Sequence, residues 1–281
     1  MDARAKDDDD VLANVMPAII GPPTPAHPSG RNVVFRNLES LTDGTIAPAA
    51  PDIYYGAQPE GLCRPARDAL RHHIMPSTME SRPLAPNFFV EVKGPDGSAA
   101  VASRQIRYDG AYGARAMHSL QNYGTEGDLQ YDGQSYTISS VYHAGQLQLY
   151  AHHPTAPISE GGRPEYHMTQ VGTWATTGNI DSFRRGATAF RNARDLAKQH
   201  RDGFIQAANA KASHPRPSAS HTNPPGWWDG DEALQQDISN AYDDNFGDGG
   251  EEAAIPQGFY TGEDSVDDAS LEVAASFTPG S

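Results

Sequence analysis

NFFVEVKG, residues 87–94, is the stretch whose reading decides the fold. Side chains alternate across a strand, so Phe88, Val90 and Val92 fall on one face and Phe89, Glu91 and Lys93 on the other. Apolar residues on both faces describe a strand covered on both sides. Such a strand does not usually hold charges without a use for them. GPDG (94–97) then reads as a turn.

Working outward, PDIYYGA (51–57) opens with proline and carries Ile53, Tyr54 and Tyr55, which predicts an earlier strand. Between the two, GLCRPARDALRHHI (61–74) spaces Leu62, Ala66, Ala69, Leu70 and Ile74 as a helix, with Pro65 in its first turn. NVVFRNLESL (32–41) reads as a strand by its β-branched start or as a short helix by its Leu38/Leu41 pair. The first 30 residues, an apolar patch from Val11 to Ile20 and then GPPTPAHPSG, predict little fixed structure beyond a helical turn.

Downstream, residues 99–124 predict a helix whose small residues permit close packing. Residues 135–153 predict a hairpin about His-Ala-Gly, and 166–174 a further strand. Residues 181–212 predict a long helix with Asp181 as N-cap. The expectation is one α/β domain over 31–212, with a mixed central sheet of about four to six strands flanked by helices. A flexible segment (1–30) precedes it, and a disordered acidic tail (213–281) follows.

The net charge of -15 belongs to the ends of the 281-residue chain. Residues 213–281 carry 14 acids against Arg216, the first ten carry five Asp against two bases, and 11–212 balance to about +1. A nearly neutral domain can still bind a polyanion if its bases share a face. The tail offers too little apolar surface to offset chain entropy. Its aromatics, among them Trp227 and Trp228, make either a protein-interaction segment or a solvating tail. A single cysteine, Cys63, excludes an internal disulfide and a cysteine-built zinc site. No run approaches 18 apolar residues, so no membrane span is expected. With no basic, apolar leader at the N-terminus, a nuclear or cytoplasmic protein that is not secreted is expected.

Chemistry gathers on Glu91-Val92-Lys93 and on Asp52 of the preceding strand. Two carboxylates from neighbouring strands can grip Mg2+ or Mn2+ through oxygen. Such a cation polarises a phosphoryl oxygen and helps to generate hydroxide. A lysine beside it can orient water and stabilise developing negative charge. Taken alone, acid-x-Lys on a strand also describes an exposed ion pair, but the apolar residues on both faces argue otherwise. The arrangement resembles the PD-(D/E)XK nucleases. These place a first acid at a strand start, acid-x-Lys on the next strand and a helix after it. The resemblance implies a restriction-endonuclease-like fold and metal-dependent hydrolysis of DNA or RNA. Its RecB-type members add Gln-x-x-x-Tyr on that helix. Here Gln105 supplies the glutamine, implied to orient the site, and Tyr108 comes one position early.

Residues 50–210, through PDIYYGA, NFFVEVKGPDG, the Arg104–Met117 helix, RPEYHMTQ and the Phe183–Arg201 helix, also resemble an uncharacterised fungal domain family described as nuclease-like. Against the PD-(D/E)XK pattern, the 38 residues between Asp52 and Glu91 are long for a hairpin. If another acid fills the first metal position, Glu39 and Glu60 are the candidates, Glu39 the better placed.

The last helix carries Arg184, Arg191, Arg194, Lys198 and Arg201 at spacings that share a face. That face is either a phosphate-contacting one or the solvated side of an amphipathic helix. His72-His73 and His152-His153 point apart and read as ordinary histidines rather than ligand pairs. His118 and His143 have no spacing that ties them to the site. Neither GxxxxGK[ST] nor GxSxG occurs, against NTPase and α/β-hydrolase chemistry. The rival to a nuclease is a catalytically inactive nuclease-fold binding module of a fungal effector or mobile-element-related protein. A third reading is a scaffold working through the acidic tail.

Overall fold

A computed structural model describes residues 5–79 and 81–213. The acidic tail expected from residue 213 on, with its aromatic interaction segment, lies almost wholly outside the described residues. Among these, the architecture is mixed α/β, a six-stranded sheet with five helices. The order is α1 (Asp8–Asn14), α2 (Met16–Ile20), β1 (Ser29–Arg31), β2 (Ile53–Ala57), α3 (Arg64–Ile74), β3 (Leu84–Lys93), α4 (Ala99–Gln121), β4 (Thr137–His143), β5 (Gln146–Thr155), β6 (Glu165–Ala175) and α5 (Ile180–Ser213). The strands lie side by side in chain order. Only β3 and β4 pair in parallel. A parallel neighbour needs a crossover, and α4 supplies it.

All ten residues of β3 are buried, because it runs mid-sheet with helices on both faces. Phe88, Val90 and Val92 pack with Val11, Met16 and Ile19 of α1 and α2 and with Phe190, Ala193 and Ala197 of α5. Phe89 packs on the opposite face with Tyr54, Val141, Tyr150 and α4 residues Ala102, Ile106 and Tyr112. The alternation read from residues 87–94 is the alternation of the two cores. Two glycines bring α4 close to the sheet. A Cβ on Gly110 would fall 2.1 Å from the His152 ring, and one on Gly113 would fall 2.6 Å from the Phe89 ring.

Three expectations are corrected. The N-terminal segment is not structureless: α1 and α2 are helices, and Val11, Met16 and Ile19 are buried in the core. Short helices are marginal alone and are held by tertiary packing, which the sequence of these two does not advertise. Residues 32–41 form neither helix nor strand. Their fixed point is Phe35, fully buried against the edges of Tyr54, Phe89 and Tyr112, with its N–H donating to Ala49 O. The start of α5 is capped by Asn179, whose Oδ1 accepts from the N–H groups of Asp181 and Ser182 at 2.8 and 3.1 Å. Asp181 sits in the first turn instead. No helix among the described residues is long and apolar enough to cross a membrane.

Candidate active site

Asp52 stands immediately before β2. The antiparallel register pairs Ile53 with Val90, so one further step places Asp52 beside Glu91. Its carboxyl turns to the neighbouring strand, where Oδ2 accepts from the Val92 N–H at 2.7 Å. Burial raises the Asp52 pKa, and that N–H and Lys93 act against the rise.

Glu91 is 1% exposed, and neither of its carboxyl oxygens receives a hydrogen bond from an aligned donor. Its partner in charge is Lys93, whose Nζ lies 3.6 Å from Oε2. Alternation puts both on the α4 side of the sheet. From α4, Asp109 comes down against Glu91. Asp109 is 2% exposed, and its Oδ2 also has no donor. Burial, then the negative charge of Asp52, lifts Glu91 to about 7. Burial, then Glu91, holds Asp109 well above the ordinary carboxyl range. Two carboxyls in contact and out of water cannot both stay ionised without compensation. A shared proton or a cation supplies it.

Carboxylate oxygens are the donors that a hard divalent cation takes. Among the described residues, no group of three or more His, Cys, Asp and Glu side chains is arranged to hold a metal ion. Mg2+ does not require one, since it is commonly held by one or two carboxylates and keeps several waters. Glu91 and Asp109 offer oxygens without donors, and Asp52 stands beside them. Asp52 also lines an open depression of about 540 Å³, with Asp7, Asp8, Asp9, Gly94 and Asp96 around it.

The strand register sets Asp52 beside Glu91, and Lys93 pairs with Glu91. Gln105 does not join them: its side chain is exposed on α4. Asp109, one turn further along the same helix, takes the inward position. Neither reserve acid is there either. Glu39 is exposed and pairs with His73 at 3.4 Å, and Glu60 is exposed. The sequence did carry a signal for Asp109. It falls three residues after Ile106 and four before Gly113, inside the apolar stripe of α4, where a carboxylate is out of place.

The proposed basic face of α5 is largely internal. Arg191 donates to the carbonyls of Ile19 at 2.8 Å and Ala18 at 2.9 Å, tying down α2. Arg194 is buried over the Tyr55 ring and donates to Ile20 O. Arg201, 2% exposed, donates to Asn87 Oδ1 at 2.7 Å, and Lys198 pairs with Asp202. Only Arg184 of the five is exposed, beside an ion pair to Asp181. The shared face exists, but it points at α2 and β3. Helical spacing says which residues share a face, not which way that face turns.

His152 is buried, with Nε2 at 2.6 Å from Ser139 Oγ, and burial lowers its pKa to about 3. His118 meets Gln130 O at 3.0 Å, far from the site in its contacts. His143 pairs in register with Lys93 on the adjacent strand, and its Nε2 is buried without a partner.

No curated protein and no solved structure matches the chain. One family model matches residues 4–218, from just before α1 to just past α5. The chain therefore belongs to the family described as a domain of unknown function, DUF7924.

Proposed function

We propose that this domain is a metal-dependent phosphodiester hydrolase of PD-(D/E)XK type acting on DNA or RNA. The observation that carries the reading is the Glu91–Asp109 contact: two buried carboxyls, with both Glu91 oxygens and Asp109 Oδ2 lacking donors, beside Asp52 and Lys93. The order of parts supports it, with an acid at the start of β2, acid-x-Lys at the end of β3 and α4 following. Asp52 and Glu91 would hold Mg2+ or Mn2+, with Asp109 as a third oxygen source. A bound cation there would polarise a phosphoryl oxygen and lower the pKa of bound water. Lys93, with its ammonium against Glu91, orients the attacking water and stabilises charge on the phosphoryl oxygens. Arg184, exposed at the head of α5 beside Asp181, is the group of that face most open to a phosphate backbone. The test is Mn2+- or Mg2+-dependent cleavage of labelled DNA and RNA by the wild type, Glu91→Ala and Lys93→Ala. Cleavage that survives both substitutions rejects the reading.

A second reading, a nuclease-like fold kept for binding alone, is favoured by the depth of Glu91 and Asp109. It predicts oligonucleotide binding without cleavage in any divalent cation.

A further inference from the structure

We propose that the acidic segment Lys6–Asp10 is a built-in occluder of the candidate site, in which the Asp8 carboxylate stands in the place of a phosphate of the bound nucleic-acid strand. The inference rests on reading the site as one that binds phosphodiesters. One oxygen of Asp8 accepts from the Gly94 N–H, and the other lies 3.4 Å from Lys93 Nζ. A backbone N–H beside an ammonium is a donor pair suited to a phosphate oxygen. The same ammonium touches Glu91, so Asp8 is an ionic neighbour of the group assigned to the transition state.

The segment lies flat on the turn after β3. A Cβ on Gly94 would meet the Asp7 carbonyl carbon at 2.7 Å. Asp7, Asp8 and Asp9 join Asp52 and Asp96 around the open depression against one base, Lys6, so a polyanion approaching it meets net repulsion. Before the segment, the partly buried Ala5 packs against the core, a light anchor. Beyond it, Val11, Met16 and Ile19 are buried in the core. Within it, the Asp7 and Asp10 side chains bond inside the segment, to Asp10 N–H and Lys6 N–H. Asp8 makes the polar contacts that hold the segment on the site. Asp8–Asp10 are the first turn of α1, so breaking these contacts and unwinding that turn frees Lys93 and the Gly94 N–H while Val11 stays packed.

The experiment measures binding of a fluorescent oligonucleotide with cleavage-resistant phosphorothioate linkages, in Mg2+, to the full chain, Asp8→Asn and Gly94→Ala. Asp8→Asn weakens the mimic. Gly94→Ala pushes the segment off from below and leaves its charge intact. Apparent affinity scales with the open fraction, so both variants should bind about tenfold more tightly than the wild type. Unchanged or weaker binding in both overturns the proposal, and so does no binding by any of the three. Tighter binding in Asp8→Asn alone also overturns it, because a lost charge then suffices. If Asp8→Asn fails to fold by thermal melting, Gly94→Ala decides. Tighter binding without Mn2+-dependent cleavage of the all-phosphate strand keeps the occluder and rejects hydrolysis. Cleavage without tighter binding does the reverse.

Discussion

Glu91 of β3 and Asp109 of α4 meet carboxyl to carboxyl beneath the sheet–helix interface, with no aligned donor on either Glu91 oxygen. A core built only for stability would carry apolar groups in both positions. Repulsion and desolvation make the pair a cost to folding that a function or a ligand must offset.

That cost has a pH dependence. The folded-state pKa of Glu91 lies above its ordinary value, at about 7 against 4.5. The folded protein therefore keeps a proton that the unfolded chain releases between those values. Stability falls as pH rises through this window, and the deficit is full above it. Glu91→Gln removes the titration and should raise stability at pH 8 by up to about 3 kcal/mol. Urea unfolding at pH 5 and pH 8 checks this, and a substitution that destabilises equally at both would refute it.

A divalent cation should compete with that proton. Mn2+ should raise the melting temperature of the wild type more at pH 8 than at pH 6, since a cation binding only the folded state stabilises it. Asp109→Asn and Glu91→Gln should each abolish most of the increment. An equal increment in the three proteins would place the cation elsewhere.

Gly110→Ala inverts the usual helix rule. In an open helix the change gains about 1 kcal/mol. Here the new Cβ would fall 2.1 Å from the buried His152 ring. The expected outcome is a loss of about 3 kcal/mol or more by chemical denaturation. A neutral result would mean that α4 stands further from β5.

Arg201 and Arg184 should separate structure from binding. Arg201→Ala leaves Asn87 Oδ1 without its guanidinium and should cost about 3 kcal/mol of stability. Arg184→Ala should leave stability within about 0.5 kcal/mol and weaken oligonucleotide binding at low salt. Nucleic-acid affinity lost in Arg201→Ala at unchanged stability would restore the basic face read from the sequence.

Deleting residues 1–20 should abolish folding. It removes Val11, Met16 and Ile19 from the core, at roughly 1.5–3 kcal/mol each. The total approaches the whole stability of an ordinary domain, about 5–15 kcal/mol. A cooperative melt in the truncated protein would show that α1 and α2 are dispensable.

The long periodic segments were legible. Strand β3 declares itself because alternation of Phe88, Val90 and Val92 with Phe89, Glu91 and Lys93 is a property of the strand alone. The spacing of Ala66, Ala69, Leu70 and Ile74 and the run from Phe183 to Ala197 announced α3 and α5 for the same reason. What failed was whatever depends on a partner far along the chain. Arg191 reads as a surface base until Ile19 arrives beneath it, and α1 and α2 read as loose chain until α5 covers them.

By itself the sequence determined the β2 and β3 strands, the helix between them, and the acid-x-Lys pair on one face of β3, because local periodicity encodes them. Only the tertiary structure decided which helix residue comes down on Glu91. Gln105 and Asp109 lie one turn apart on α4, and the apolar stripe that favours Asp109 does not say which strand residue it meets. The depth to which Gly110 and Gly113 let that helix sink onto the sheet settles which of the two is buried.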